Sequence, residues 1–122
     1  MPKLIELNTF SGVRGSLSVL EDFEISFGIR RIFYIYSVDE AERGGHRHIK
    51  THQALICLKG SCSIGNDDGT QKETYVLDSP SKCLILYPQD WHVLYDFSPD
   101  AILLVLASEL YNEADYVFEP YS

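Results

Sequence analysis

Long apolar runs are missing from this sequence, although hydrophobic residues make up 45% of its 122 positions. A helix that crosses a bilayer needs about 20 mostly apolar residues, and no run of even about 18 occurs here. Residues 1–8 are interrupted by polar side chains, so they lack the apolar segment of a secretory signal peptide. We therefore expect a soluble, cytoplasmic protein without a membrane span.

Cysteine is scarce, and its spacing is not that of a binding motif. The three cysteines, Cys57, Cys62 and Cys83, are odd in number and include no Cys-x-x-Cys pair. A disulfide framework needs cysteines in pairs, and a zinc knuckle needs a Cys-x-x-Cys spacing. Two of the three lie in apolar runs, so we predict reduced and mostly buried thiols.

Positive charge is also in short supply, because the net charge is −8 with only ten lysines and arginines. This balance opposes non-specific binding to nucleic acid. Half of the basic residues nevertheless lie between positions 30 and 50: Arg30, Arg31, Arg43, Arg47 and Lys50. The local cationic zone suggests a discrete anionic ligand, but taken alone it is better explained as a solvated strand face with ion pairs to Asp39, Glu40 and Glu42.

Internal repeats and long helical patterns are absent, and the chain consists of short apolar segments between turn residues. Eight segments have strand character: residues 4–7, 17–20, 32–36, 54–58, 62–64, 74–77, 83–87 and 102–107. The run from Asn66 to Gly69 predicts a hairpin turn, and only residues 109–116 are mildly helical. This pattern predicts one all-β domain over residues 1–122, a sandwich or jelly roll. Residues 32–36 and 54–58 are apolar on both faces, which favours a partner subunit on one side.

The segment Arg43-Gly-Gly-His46-Arg-His48 carries the strongest chemical signal. Residues i and i+2 of a strand point to the same face, so His46 and His48 share one side. Two imidazoles on one face serve metal binding or proton transfer. Two exposed polar residues at a strand entrance are the structural alternative. Trp91-His92 and the turn residue Arg14 are weaker signals when taken alone.

The spacing of these residues resembles the first motif of the cupins: His46-x-His48, four residues, Gln53, six residues, Gly60. Other segments are similar to the sugar-nucleotide 3,4-ketoisomerases, the WxcM-like cupins. They follow one another along nearly the whole chain at residues 14–17, 27–35, 43–48, 53–61, 77–80, 91–92, 105–108 and 111–116. Each segment is unspecific by itself, but the ordered set is specific.

This resemblance implies an RmlC-like cupin jelly-roll barrel with a short C-terminal helical segment. It also implies an isomerase that moves the keto group of thymidine-diphosphate (TDP) 4-keto-6-deoxyglucose from C4 to C3 through an enediol. His46 is the expected base, since imidazole has a suitable pKa, and His48 is expected to orient it or to shuttle protons. The expected substrate-binding residues are Arg14, Arg31, Tyr34, Arg43, Gln53 and His92.

Each of these groups has an expected task. Arg14 and Arg31 are candidates for the pyrophosphate, because guanidinium donors match phosphate oxygens in pairs. Arg43 is expected to stabilise the oxyanion of the enediol or to hold a phosphate. Tyr34 and Gln53 are expected to line the sugar pocket.

We expect neither a catalytic metal nor any other cofactor. A metal cupin needs two histidines, a glutamate and a third histidine in its second motif, whereas this chain has Gln53 in place of the glutamate. A neutral amide is a poor ligand for a divalent transition metal. In the second motif Asp90 stands at the usual glycine, and His92 falls one place early.

The chain departs from the ketoisomerase pattern at Phe33, where these enzymes often carry tyrosine. If that hydroxyl relays protons, another group must replace it here, and the neighbouring Tyr34 and Tyr36 are candidates. Arg14 together with His92 resembles the members that give the axial C4 hydroxyl, the precursor of 3-amino-3,6-dideoxygalactose.

Relatives of this kind imply a homodimer with exchanged N-terminal strands and a role in making a bacterial surface polysaccharide, such as the lipopolysaccharide O-antigen or an S-layer glycan. Three alternatives remain open from the sequence. They are a nucleotide-sugar epimerase on the same scaffold, a non-catalytic sugar-binding cupin and a metal-dependent dioxygenase.

Overall fold

The computed structural model of the protein describes residues 1–121, in which the chain forms twelve strands and two short 3-10 helices. The 3-10 helices are Asp22–Glu24 and Glu113–Asp115. The strands are β1 Lys3–Glu6, β2 Asn8–Gly12, β3 Gly15–Val19, β4 Arg31–Tyr36, β5 Arg43–His48, β6 Gln53–Lys59, β7 Cys62–Asp67, β8 Lys72–Leu77, β9 Lys82–Leu86, β10 Trp91–Tyr95, β11 Ile102–Ala107 and β12 Tyr116–Val117.

Ten of these strands form two antiparallel sheets, and β2 and β3 form a separate hairpin. The strand order is β1-β9-β6-β11-β4 in the first sheet and β12-β5-β10-β7-β8 in the second. Inward side chains of both sheets pack into one apolar core, so the sheets form the two layers of a sandwich. Its largest buried members are Leu55, Ile64, Leu77, Leu84, Leu86, Leu103 and Val105.

A second apolar cluster covers the outer face of the first sheet. Ala54 and Ile56 of β6 belong to this cluster together with Leu7 and Ile25 from the N-terminal segment. Strand β6 is therefore buried on both faces within one chain, which explains its uninterrupted apolar sequence. The chain's own N-terminal segment covers Ala54 and Ile56, whereas Leu58 is 46% exposed, and a partner subunit on these strands stays a prediction.

Strand β4 differs from β6 because its outer face is open. Ile32, Tyr34 and Tyr36 point outward and are 61%, 61% and 62% exposed. The alternate residues Phe33 and Ile35 pack against the inner core. The alternation follows from the period of two along a strand.

All eight predicted strand segments overlap strands of the structure, whereas β2, β5, β10 and β12 lie outside them, although the prediction for His46 and His48 assumed a strand at β5. The predicted helical segment 109–116 contains only the 3-10 turn Glu113–Asp115. The Asn112 side chain accepts a hydrogen bond from the Ala114 amide at 3.0 Å and begins this turn. It ends at Tyr116, because that residue pairs with β5. Within residues 1–121 no helix has the length and apolar character that crossing a bilayer requires.

The predicted reduced, buried thiols are confirmed. Cys57, Cys62 and Cys83 are all free and buried. Burial raises the pKa of the Cys83 thiol to about 12. These side chains therefore act as small apolar groups within the two clusters.

The predicted hairpin turn joins β7 to β8. The Asp68 carboxylate accepts hydrogen bonds from the amides of Thr70 at 2.9 Å and Gln71 at 2.8 Å. Gly69 has a φ of +95°, a left-handed conformation that favours glycine. The sequence signal and the turn therefore agree.

Gly60, at the turn between β6 and β7, is expected to tolerate no side chain. Its φ is +70°, and an added Cβ would lie 2.6 Å from the Asp100 carboxylate and 3.0 Å from the Ala101 Cα. We predict that Gly60→Ala lowers the free energy of unfolding by about 2 kcal/mol or more, from strain and overlap together. Gly28→Ala is the control, because nothing lies within 4 Å of its Cβ position. Equal urea midpoints for the two variants would contradict this prediction.

Candidate active site

The site is organised by the pairing of β5 with its two neighbours. His46 on β5 lies opposite His92 on β10, and His48 lies opposite Tyr116 on β12. Directly opposed residues of antiparallel strands share a face, so these side chains meet on one wall. The ring centroids of His46 are 4.9 Å from His48, 5.0 Å from His92 and 4.6 Å from Tyr116.

Two glycines before the histidines make this close pairing possible. Gly44 and Gly45 have φ values of +84° and +78°. A Cβ on Gly44 would lie 3.0 Å from the His92 carbonyl oxygen and 3.5 Å from the His92 ring. The register of β5 and β10 shifts between His92 and Val93, which is a bulge at the site. Gly44 therefore lets β5 approach His92 closely, and Gly45 supplies a second left-handed backbone conformation.

The wall of imidazoles faces a cavity of about 420 Å³ between the two sheets and the C-terminal segment. Charged, polar and apolar side chains all contribute to its lining. The lining residues are Arg31, Phe33, Ile35, Arg43, Gly44, His46, Gln53, Leu55, His92, Leu94, Val105, Tyr111, Glu113, Tyr116 and Phe118.

Burial keeps the imidazoles uncharged. Desolvation lowers the pKa of His46 below its ordinary value, opposed by a hydrogen bond with the Gly44 backbone. Desolvation also lowers the pKa of His48 to about 4, with the neighbouring His46 adding to the effect, and that of His92 to about 3. At neutral pH these groups can accept a proton, which an imidazolium cannot do.

Buried aspartates fix the histidine-bearing segments from behind. The Asp115 carboxylate accepts hydrogen bonds from the amides of Ile49 at 3.1 Å and Lys50 at 2.8 Å, and from the Thr51 hydroxyl. Burial raises the pKa of Asp115, but these hydrogen bonds, together with the nearby His48, outweigh burial, so the net shift is downward. Asp115 therefore ties the C-terminal segment to the end of β5.

Asp90 fixes the start of β10 by hydrogen bonds. Its carboxylate accepts hydrogen bonds from the Tyr87 amide at 2.8 Å and the Asn66 side chain at 3.0 Å. Its carbonyl oxygen lies 3.0 Å from Nδ1 of His92. That contact fits a His92 tautomer with the proton on Nδ1, which leaves Nε2 as an acceptor.

The cavity carries two guanidinium groups and one carboxylate, from Arg31, Arg43 and Glu113. The Arg31 guanidinium lies 4.4 Å from the Phe33 ring centroid and 5.3 Å from that of Tyr111. Aromatic faces of this kind hold a guanidinium in place without neutralising it. The arrangement suits a ligand with an anionic part beside the arginines and a part beside the imidazoles that exchanges protons.

Most of the predicted site residues come together in this cavity. His46, Arg31, Arg43, Gln53 and His92 all line it. His48 lies behind this surface, buried against His46 and Tyr116. These predicted residues therefore lie close together, and their roles stay predictions.

Two predicted site residues lie elsewhere. Tyr34 does not line the cavity, because it alternates with Arg31, Phe33 and Ile35 and so faces outward, stacked on Tyr36. The prediction that Tyr34 lines the pocket, and that it or Tyr36 replaces a hydroxyl at Phe33, is therefore wrong for a cavity built by this chain alone. Arg14 lies on the exposed tip of the β2–β3 hairpin, beside a separate depression.

Four residues of the C-terminal segment line the cavity without having been assigned to it: Tyr111, Glu113, Tyr116 and Phe118. Residues 111–116 were noted only as part of the family resemblance. The mild helical pattern over residues 109–116 gave no indication of the short strand β12. The aromatic spacing of Tyr116 and Phe118 at i and i+2 was the available signal. Within residues 1–121 no three His, Cys, Asp or Glu side chains are arranged to hold a metal ion.

The depressed histidine pKa values predict a loss of stability in mild acid. An unfolded histidine takes up its proton near pH 6.5, whereas folded His48 does so near pH 4. Between these values the unfolded state binds more protons, so the free energy of unfolding falls as pH falls, by up to about 1.4 kcal/mol per pH unit per histidine. Urea titrations from pH 7 to pH 4 should show a shallower fall for His48→Gln/His92→Gln than for the unsubstituted protein. Parallel curves would contradict the assigned burial of neutral imidazoles.

Comparison with known proteins identifies a family along the whole sequence. Residues 1–122 match the family model described as WxcM-like, C-terminal (FdtA). The TDP-4-oxo-6-deoxy-alpha-D-glucose-3,4-oxoisomerase of Aneurinibacillus thermoaerophilus is 42% identical over 117 residues, which are 94% of this chain and 84% of that protein.

Solved structures of 3,4-ketoisomerases superpose closely. The enzyme from Helicobacter canadensis is 38% identical with a TM-score of 0.91, covering 97% of this chain and 90% of that one. QdtA from Thermoanaerobacterium thermosaccharolyticum gives a TM-score of 0.92 as a double mutant in complex with TDP, a tyrosine being replaced by arginine and an arginine by histidine. That structure is 40% identical, covering 97% of this chain and 87% of that one. A histidine-to-asparagine mutant of QdtA, in complex with TDP-4-keto-6-deoxyglucose, is 38% identical with the same coverage and TM-score.

A more distant likeness confirms the predicted fold. The RmlC epimerase of Mycobacterium tuberculosis has a TM-score of 0.82 at 16% identity, covering 94% of this chain and 66% of that one. At this identity the likeness shows the RmlC-like cupin fold alone. Together with the family match, these findings show that the chain belongs to the WxcM-like family of sugar-nucleotide 3,4-ketoisomerases and is an isomerase.

Proposed function

We propose that this protein, acting as one unit over residues 1–122, converts TDP-4-keto-6-deoxyglucose into its 3-keto isomer. The observation that carries the proposal is the uncharged His46 imidazole on the wall of a cavity that also presents Arg31 and Arg43. The 42% identical relative that is named for this activity supports the choice of substrate.

The reaction needs a base of near-neutral pKa beside the sugar. The C4 ketone acidifies the hydrogen on C3, and its removal gives an enediol that is reprotonated at C4. His46 takes that hydrogen, since its burial keeps the ring unprotonated and able to accept it. His48, 4.9 Å away by ring centroids, orients His46 and passes protons onward. No metal is required for this chemistry.

The arginines bind the diphosphate of the substrate. Arg31, held against two aromatic rings, offers paired donors to phosphate oxygens. Arg43 lies on the same strand as His46 and stabilises the enediol oxygen or binds a phosphate. Gln53 and His92 contact the sugar.

We also propose a homodimer with exchanged N-terminal strands, in which the hairpin β2–β3 reaches the second subunit. The exposure of this hairpin supports the proposal, because Phe10 and Leu17 are 65% and 57% exposed. The outward Ile32, Tyr34 and Tyr36 of β4 offer a further apolar surface. The exchange brings Arg14 to the cavity of the other subunit.

The proposed product has the axial C4 hydroxyl and leads towards 3-amino-3,6-dideoxygalactose. The pair Arg14 and His92 supports this product, on the resemblance described above. The QdtA double mutant acquired an arginine and a histidine, the same residue types. Product NMR distinguishes the two C4 configurations.

The function is tested by the fate of the C3 hydrogen. The protein is incubated with TDP-4-keto-6-deoxyglucose in D2O, and the product is read by NMR. We expect a 3-keto isomer with deuterium at C4, and a loss of about 1,000-fold in rate for His46→Asn, since the base is removed while the arginines remain. Binding of TDP should persist.

His52→Gln is the matched control, because His52 packs between Phe27 and Tyr87 on the outside of the first sheet. Its rate should equal that of the unsubstituted protein. Epimerised 4-keto sugar as the product would indicate the epimerase alternative. Sugar binding without solvent exchange would indicate a non-catalytic protein, and either result would refute the proposal.

The proposed exchange of strands makes a second prediction about Arg14. His46→Asn and Arg14→Ala subunits should each be nearly inactive alone. In a mixed dimer one site regains both residues, so co-expression should restore about a quarter of the full activity. No recovery, in dimers verified as mixed by mass spectrometry, would place Arg14 with its own subunit's cavity or outside the site.

A further inference from the structure

The cavity contains two phenol groups, from Tyr111 and Tyr116. All eight tyrosines of the sequence lie within the described residues 1–121. Others are engaged or lie elsewhere: the Tyr121 hydroxyl donates to the Gln89 carbonyl at 2.8 Å, and Tyr34 and Tyr36 stack on the outer surface. The phenols of the cavity are therefore those of the C-terminal segment.

Tyr116 is the phenol that contacts the imidazoles. Its ring centroid lies 4.6 Å from that of His46 and 4.6 Å from that of His48. The pairing of Tyr116 with His48 across β12 and β5 sets this position, and the anchored carboxylate of Asp115 precedes it in the chain. Tyr111 instead lies 5.3 Å from the Arg31 guanidinium and 5.7 Å from the Tyr116 ring.

The isomerisation moves two protons along different routes. C3 loses a proton to His46, which exchanges with solvent before C4 gains one, and the C3 hydroxyl loses a proton while the oxygen on C4 gains one. A single imidazole that holds the carbon proton cannot also donate one to the C4 oxygen in the same step. A phenol can give up one proton and take another, and it starts neutral at pH 7.

We propose that Tyr116 is a catalytic residue that transfers the hydroxyl proton, an inference that rests on the proposed ketoisomerase function. As His46 removes the C3 hydrogen, the C3–H electrons form the C3=C4 double bond. The carbonyl π electrons move to the C4 oxygen, which takes the Tyr116 proton. The neutral enediol then lies between an imidazolium and a phenolate.

The second half of the reaction reverses the roles of the two groups. The Tyr116 phenolate removes the proton of the C3 hydroxyl, and the electrons of that O–H bond form the C3=O double bond. The C3=C4 electrons take the proton from His46 at C4. Both residues return to their starting states, and no oxidant, reductant or metal enters the balance.

The test compares Tyr116→Phe with the unsubstituted protein on TDP-4-keto-6-deoxyglucose in D2O. Phenylalanine keeps the ring that packs on His46 and His48 and removes only the hydroxyl. We expect kcat to fall about 100-fold or more, while KM and the affinity for TDP change less than about threefold. The ratio of deuterium exchange at C3 of recovered substrate to product formation should rise, because His46 still removes the carbon proton.

Tyr95→Phe is the control and should leave kcat unchanged, because Tyr95 alternates along β10 with the cavity residues His92 and Leu94 and so faces away from the cavity. A kcat for Tyr116→Phe within about threefold of the unsubstituted protein would overturn the inference. A fall in kcat with an unchanged exchange ratio would assign Tyr116 a structural role and overturn it too. If the unsubstituted protein does not isomerise this substrate, the proposed function fails and the inference fails with it, which is a distinguishable result.

Discussion

The pairing of β5 with β10 on one side and β12 on the other is the constraint on which the site depends. It sets His46 opposite His92 and His48 opposite Tyr116, so four side chains from three strands meet on one inner wall. A shift of one residue in either register turns the whole set towards the other face of the sheet. Gly44 permits the close approach, and the hydrogen bonds of Asp115 and Asp90 hold the flanking strands.

The electrostatics of the cavity follow from this burial. Desolvation lowers the pKa of all three imidazoles, so they remain proton acceptors at neutral pH. Arg31 and Arg43 line the same cavity. A protein with a net charge of −8 thus presents positive charge to a ligand beside uncharged bases. This separation suits a substrate with an anionic diphosphate and a reactive ketone.

The sequence was sufficient for the fold class, and for those site residues whose position follows from alternation along one strand. The pair His46 and His48 falls on one face as the period of two predicts, and the apolar segments became strands. Tyr34 was misplaced although the same rule excludes it, since residues at i and i+3 cannot share a face with Arg31. The position of Tyr116 could not be predicted from the sequence, because it depends on pairing with His48 across a separation of 68 residues. Arg14 lies at a separate depression on the β2–β3 hairpin, so any part it has in the site rests on the proposed second subunit, which one sequence does not specify.

The central claim is that His46 is an uncharged imidazole with a depressed pKa at the cavity wall. Nitrogen-15 NMR of the histidine rings, recorded from pH 8 to pH 4 and assigned with His46→Asn, measures this directly. The account predicts neutral ring nitrogens for His46 at pH 7 and a titration midpoint below 6.5. An imidazolium at pH 7, with a midpoint above that value, would contradict it.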